Sequence, residues 1–162
     1  KPIDIFCSQQ VFKALKREFH YIFDPKFQYP GIPKINRHEI SKKKFFIGDK
    51  IKVEPVEVMH YKLPVLGFRI ENFAYITDAK TIDINEKKKL KNLDLLIVNA
   101  LRVKEHLSHF NLEEAISLIK ELNPKKAILT HISHFMGLHN DVQSMLPKNI
   151  SIGYDNQKII LN

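Results

Sequence analysis

From position 94 onward, short apolar runs alternate with helical periodicity, and this alternation limits the fold more than any other feature. Asp94 to Asn99 and Lys126 to Thr130 are apolar runs of strand length, short enough to be buried strands. Between them, Leu112 to Leu122 places Leu112, Ala115, Ile116 and Ile119 on one helical face. A short helix around Asn140 to Leu146 and two strands, Ile150 to Tyr154 and Lys158 to Leu161, complete the pattern. Strands alternating with helices predict an α/β layer with helices packed on a sheet.

The first half contributes further strands. Lys1 to Cys7 alternates as a strand does, and Ser8 can then cap a helix carrying Val11, Phe12, Leu15 and Phe19 at helical spacing. Asp24 to Pro33 holds three prolines and Gly31, and is expected to be a loop. Ile35 to Ile40 and Phe45 to Ile47 are short strand candidates, and Gly48-Asp49-Lys50 turns into the alternating run Ile51 to His60. Pro55 within that run suggests an edge or a bulge, because proline cannot donate to a ladder. Val65 to Glu71 and Phe73 to Asp78 form a predicted hairpin around Glu71-Asn72, and Asp83 to Leu93 is a short lysine-rich helix.

A chain of 162 residues, 44% hydrophobic and 27% charged, can bury one sizeable core, so a single domain over 1–162 is expected. No apolar run approaches the ~20 residues that cross a bilayer, and no signal-peptide pattern opens the chain; a cytoplasmic setting without a membrane partner follows. The single cysteine, Cys7, excludes an internal disulfide and a thiolate-rich zinc site. Any metal must therefore be held by histidine and carboxylate. The net charge of +8 would suit a polyanion, but the lysines are scattered and little aromatic interleaving accompanies them, so nucleic acid is not the favoured partner. A homodimer is compatible with all of this. The chain opens on Lys1 already at a strand, which makes it read as a piece of a longer protein.

Three strand ends carry the chemistry. Val56-Glu57-Val58-Met59-His60 ends in histidine, Phe73-Ala74-Tyr75-Ile76-Thr77-Asp78 in aspartate, and Leu129-Thr130-His131-Ile132-Ser133-His134 opens a histidine-dense loop that runs on through Phe135-Met136-Gly137-Leu138-His139. Imidazole and carboxylate together suit a borderline divalent ion, and a strand end is a rigid mount. Singly, each residue has a plain reading as a turn or surface group. Their conjunction suggests one convergent metal site.

The order of these motifs resembles the C-terminal half of the metallo-β-lactamase fold hydrolases. His109, inside Leu107-Ser108-His109-Phe110 and 22 positions before His131, is similar to the branch that opens phosphoribosyl 1,2-cyclic phosphate. The resemblance implies an αββα sandwich that is incomplete at its N-terminus, because the family's His-x-His-x-Asp-His signature is absent from these residues. It implies two divalent ions, zinc or manganese, in the complete protein. Asp78 would bridge them, with His60 on one and His131 on the other. His109 would lie at the scissile phosphate as proton donor or phosphoryl-binding group. His134 and His139 would shape the substrate pocket, or simply belong to a hydrogen-bonded loop. The implied activity is a phosphodiesterase acting on a small cyclic phosphate; an RNA-processing endonuclease of the same fold, or a non-catalytic binding fragment, stand as alternatives.

Overall fold

The computed structural model describes residues 1–27 and 29–161, and the chain divides into two compact units, Lys1–Phe45 and Phe46–Asn162. In the first, β1 (Ile3–Cys7) leads into helix α1 (Gln9–Glu18) and the single turn of α2 (His20–Phe23), and β2 (Ile35–Glu39) pairs with β1 in parallel, Ile3 opposite Ile35 and Cys7 opposite Glu39. Ser8 caps α1 as its sequence predicts, its side chain accepting from the Val11 N–H. The predicted proline-rich loop contains one 3₁₀ turn, Pro25–Phe27.

The second unit is built on a seven-stranded sheet. Its strands are β3 (Phe45–Ile47), β4 (Ile51–His60), β5 (Leu63–Ile70), β6 (Phe73–Ile76), β7 (Leu95–Asn99), β8 (Lys126–Thr130) and β9 (Ile150–Ile152), adjacent in that order. β4, β5 and β6 pair antiparallel, whereas β6 through β9 pair in parallel. The change of sense follows from the connections: tight turns join the first strands, and crossovers carrying α3 (Ile84–Lys88), α4 (Leu112–Leu122) and α5 (His139–Met145) join the later ones. Gly67 on β5 is dictated by close packing, since a Cβ there would stand 2.5 Å from the Ile76 side chain.

The core lies between the sheet and its helices. Val56, Val58, Ile76, Leu96, Val98 and Leu129 are fully buried, in one cluster with Ala115, Leu118, Ile119 and Leu122 of α4. The buried stripe of α4 is rotated from the predicted one: Leu112 and Ile116 only flank the core, and Leu118 and Leu122 enter it. Two other expectations change. β4 is interior to the sheet rather than an edge, and Pro55 stands opposite Phe68 in an unbroken register with β5, so it marks no bulge there. Lys158 to Leu161 is not a strand, since no described strand pairs with it and Ile160 is 87% exposed.

Candidate metal centre

The three predicted strand ends converge. His60 is the last residue of β4, Asp78 lies two residues beyond β6, and His131 directly follows β8. Asp78 and His131 both adopt left-handed backbone, with φ of 56° and 58°, which turns each side chain out of its strand direction at the sheet rim. Such a conformation is uncommon for a non-glycine residue, and two of them side by side mark a site held in place by its surroundings.

His109 completes the cluster from the long loop before α4. Its Nε2 lies 3.3 Å from Asp78 Oδ1, and the His131 Nε2 lies 3.6 Å from the same oxygen. The His109 ring stacks on His131 with centroids 4.7 Å apart and meets His60 edge-on at 4.6 Å. One ligand atom each from His60, Asp78 and His109 fall within 4.8 Å of one another. Three imidazoles around one carboxylate are a donor set that fits a borderline divalent ion, so the residues present match the chemistry that their sequence order implies. The expected proton donor thus stands as near to Asp78 as the expected ligand His131 does.

The electrostatics follow from burial and proximity. Partial burial alone would raise the Asp78 carboxyl, but hydrogen bonds from the Thr77 hydroxyl, at 2.9 Å, and from His109, with the charges of His131 and His109, outweigh it and lower its pKa. His109 is 8% exposed, and its pKa is also lowered, first by burial and then by its histidine neighbours, against the pull of Asp78. With Nε2–H donating to Asp78, the neutral ring presents Nδ1 as an acceptor, 3.0 Å from the Ser108 hydroxyl.

Sequence reasoning passed over two of the residues found here. His106 approaches His109 with the two Nδ1 atoms 3.2 Å apart, and burial followed by the charges of Arg102 and Lys80 lowers its pKa. The i, i+3 spacing of His106 and His109 in a loop was the available signal. Asn99 is wholly buried at the end of β7 and bonds the Ala79 backbone; its signal was a lone polar residue closing an apolar run. His134 and His139 are not brought into the cluster. His134 packs on Phe135 at 3.9 Å, and His139 faces the Tyr154 ring at 6.5 Å. Tyr154 in turn borders a recess of about 360 Å³ beside His131, lined also by Tyr75, Thr130 and Asp155, a volume in the range of small-ligand sites. His38, the remaining histidine with a carboxylate partner, sits with Asp4 in the first unit, at 2.8 Å.

Comparison with known proteins places this arrangement. A diphosphatase from the PhnP family shares the fold with a TM-score of 0.89 and 26% identity, covering 100% of this chain and 60% of that one. The short form of human tRNase Z aligns at a TM-score of 0.63 with 17% identity, over 96% of this chain and 66% of its own. An octanoyltransferase of Porphyromonas gingivalis is 35% identical over 163 residues, which is 100% of this chain and 33% of that protein. The chain therefore spans about a third of the length of the curated relative that it matches. No helix among the described residues is long and apolar enough to cross a membrane. Residues 1–132 match the beta-lactamase superfamily domain, and with the sheet and helices seen here the chain belongs to that superfamily and carries the metallo-β-lactamase fold.

Proposed function

We propose that the intact protein carrying this chain is a metal-dependent phosphodiesterase that opens a small cyclic phosphate, such as phosphoribosyl 1,2-cyclic phosphate. The observation that carries this reading is the position of Asp78, whose Oδ1 is approached by both His109 and His131 while His60 stands within 4.8 Å of the pair Asp78 and His109. Asp78 would bridge two divalent ions, zinc or manganese, with His60 on one and His131 on the other. When bound, such ions would supply positive charge against the phosphoryl oxygens and activate water for attack.

The chain's own residues do the rest. The lowered pKa of Asp78 keeps its carboxylate charged and ready to bind a cation at neutral pH. His109, neutral in these surroundings, would be driven toward its charged form by a phosphate dianion or monoanion placed against it, and could then pass a proton to the leaving alkoxide. The Ser108 hydroxyl holds the ring from its far nitrogen. The recess beside His131 would receive the sugar or base of the substrate, with His139 reaching its lip only through Tyr154 and His134 turned to Phe135.

The likeness to a diphosphatase at 26% identity supports chemistry at phosphorus. RNA processing is the second reading, favoured by the net charge of +8 and by the fold shared with tRNase Z. The octanoyltransferase name describes a protein three times as long and is not carried to this chain. The test is elemental analysis of the intact protein together with hydrolysis of phosphoribosyl cyclic phosphate and of a structured tRNA precursor. About two metal ions per chain and preferential opening of the cyclic phosphate are expected. Cleavage of the RNA alone, in a strongly salt-sensitive manner, would move the assignment to the second reading, and a metal-free inactive protein would reject both.

A further inference from the structure

The residues that face the cluster are tied together behind it by one buried side chain. Asn99 ends β7 with 0% of its surface exposed, and its carboxamide makes two bonds to a single residue. Its Oδ1 accepts from the Ala79 N–H at 2.8 Å, and its Nδ2 donates to the Ala79 carbonyl at 2.9 Å. Ala79 is itself fully buried and directly follows Asp78.

Other backbone bonds meet at the same place. The Phe110 N–H, immediately after His109, donates to the Ala79 carbonyl at 2.8 Å. The Lys80 N–H donates to Met59, the residue before His60, at 2.7 Å. Asn99 is paired in register with Thr130, the residue before His131, and the Ala100 N–H donates to Thr130 at 2.9 Å. Every residue of the cluster is thus one peptide away from an atom of a network to which, among the described residues, Asn99 contributes the side chain.

We infer that Asn99 is a positioning residue: by clamping both backbone atoms of Ala79 it holds the Asp78 carboxylate and the His109 ring at one metal centre. The inference rests on the metal-site reading above. The chemistry supports a carboxamide here over other side chains. Only a group that donates and accepts at once can satisfy an N–H and a carbonyl of the same residue, and in a buried place neither can turn to water instead. A left-handed Asp78 needs such support, because without it the loop would relax toward ordinary backbone and carry the carboxylate away from His131. Groups behind a metal site that orient its ligands are worth a roughly tenfold to hundredfold change in metal affinity.

A purely structural asparagine would also lower stability when replaced, so the test must separate the two roles. Asn99→Ser in the intact protein shortens the side chain and leaves room for water, whereas Leu122→Ala removes bulk from the core at the last residue of α4, the end of the helix remote from Phe110. Zinc affinity by competition with a chelating dye, unfolding of the chelated proteins, and hydrogen exchange at the Ala79 and Phe110 amides are measured for both. Asn99→Ser is expected to bind zinc at least about tenfold more weakly and to exchange faster at Ala79 and Phe110, while Leu122→Ala lowers the unfolding midpoint with zinc affinity unchanged. Equal loss of zinc affinity in the two variants, or unchanged affinity and exchange in Asn99→Ser, would overturn the positioning role. A parent protein that binds no zinc or manganese would reject the function proposed above; slow exchange at Ala79 that Asn99→Ser does not alter would reject the clamp itself.

Discussion

Both units of this chain contain a histidine facing an aspartate, and only one of them is built like a site. In the first unit His38 and Asp4 stand 2.8 Å apart across the β1–β2 pair, but both side chains are about half exposed and no further metal-binding side chain joins them among the described residues. In the second, Asp78 is met by His109 and His131 at longer distances, with His60 completing the group. Distance within a pair is therefore a poor guide. What separates the two is convergence of several elements and a buried network behind the ligands, and this needs a large sheet to mount it. The helices tell the same story. α1 and α4 both show apolar residues at helical spacing, yet α1 beside a two-stranded sheet buries none of its residues, and α4 on seven strands buries four.

The sharpest way to break that comparison is to remove the two carboxylates in turn. Asp78→Ala in the intact protein should strip most of the metal and lower hydrolysis by about a hundredfold to thousandfold, the scale on which loss of one preorganised polar group is felt. Asp4→Ala should change neither. Elemental analysis and initial rates with the cyclic phosphate decide it: near-normal metal and turnover in Asp78→Ala would remove the bridging role, and loss of metal in Asp4→Ala would make the first unit part of the centre.

Within the cluster, His109→Ala should keep the metal and lower the rate by about a hundredfold to ten-thousandfold, the usual contribution of a proton-transferring group. The geometry gives this variant its interest, since His109 is as close to Asp78 as His131 is. Loss of metal in His109→Ala, measured by the same analysis, would make it a ligand.

These residues show how far the sequence could be read. Where alternation, a short apolar run or helical spacing was bounded by turn residues the elements were legible, and β4, α4 and β8 begin and end where the pattern does. The ligand types at three strand ends were legible for the same reason. Asn99 and His106 were not, because their partners lie 20 residues away at Ala79 or across a loop at His109, and a carboxamide at a strand end carries no local mark of what it will bond. Lys158 to Leu161 has the alternation of a strand but pairs with no strand among the described residues, and a ladder cannot form from one side.

Core truncation tests the two helical environments. Leu96→Ala, at a fully buried position on β7, should destabilise the second unit by about 2–5 kcal/mol, the cost of lost burial plus a cavity. Val11→Ala on α1, half exposed, should stay within about 0.5 kcal/mol. Denaturant unfolding followed by far-ultraviolet dichroism measures both. A cost at Val11 matching that at Leu96 would show that α1 is packed as firmly as the sheet core.

The smallest effect separates the two helices by their caps alone. Asn111 accepts from the Glu114 N–H at 2.8 Å while the Glu114 carboxylate accepts from the Asn111 N–H at 2.9 Å, so two otherwise unpaired donors are satisfied together in a half-buried setting. Ser8 satisfies one donor, Val11, at 3.3 Å in an exposed one. Asn111→Ala should therefore cost about 1 kcal/mol of the unfolding free energy, because α4 is part of the core and cannot fray without exposing Ala115 and Leu118. Ser8→Ala removes an interaction from a helix with nothing buried, so its loss should appear as faster amide exchange in the first turn of α1 with the global unfolding midpoint unmoved. If both substitutions lowered the midpoint equally, α1 would have to be coupled to the same cooperative unit as α4, and the contrast drawn from their burial would fail.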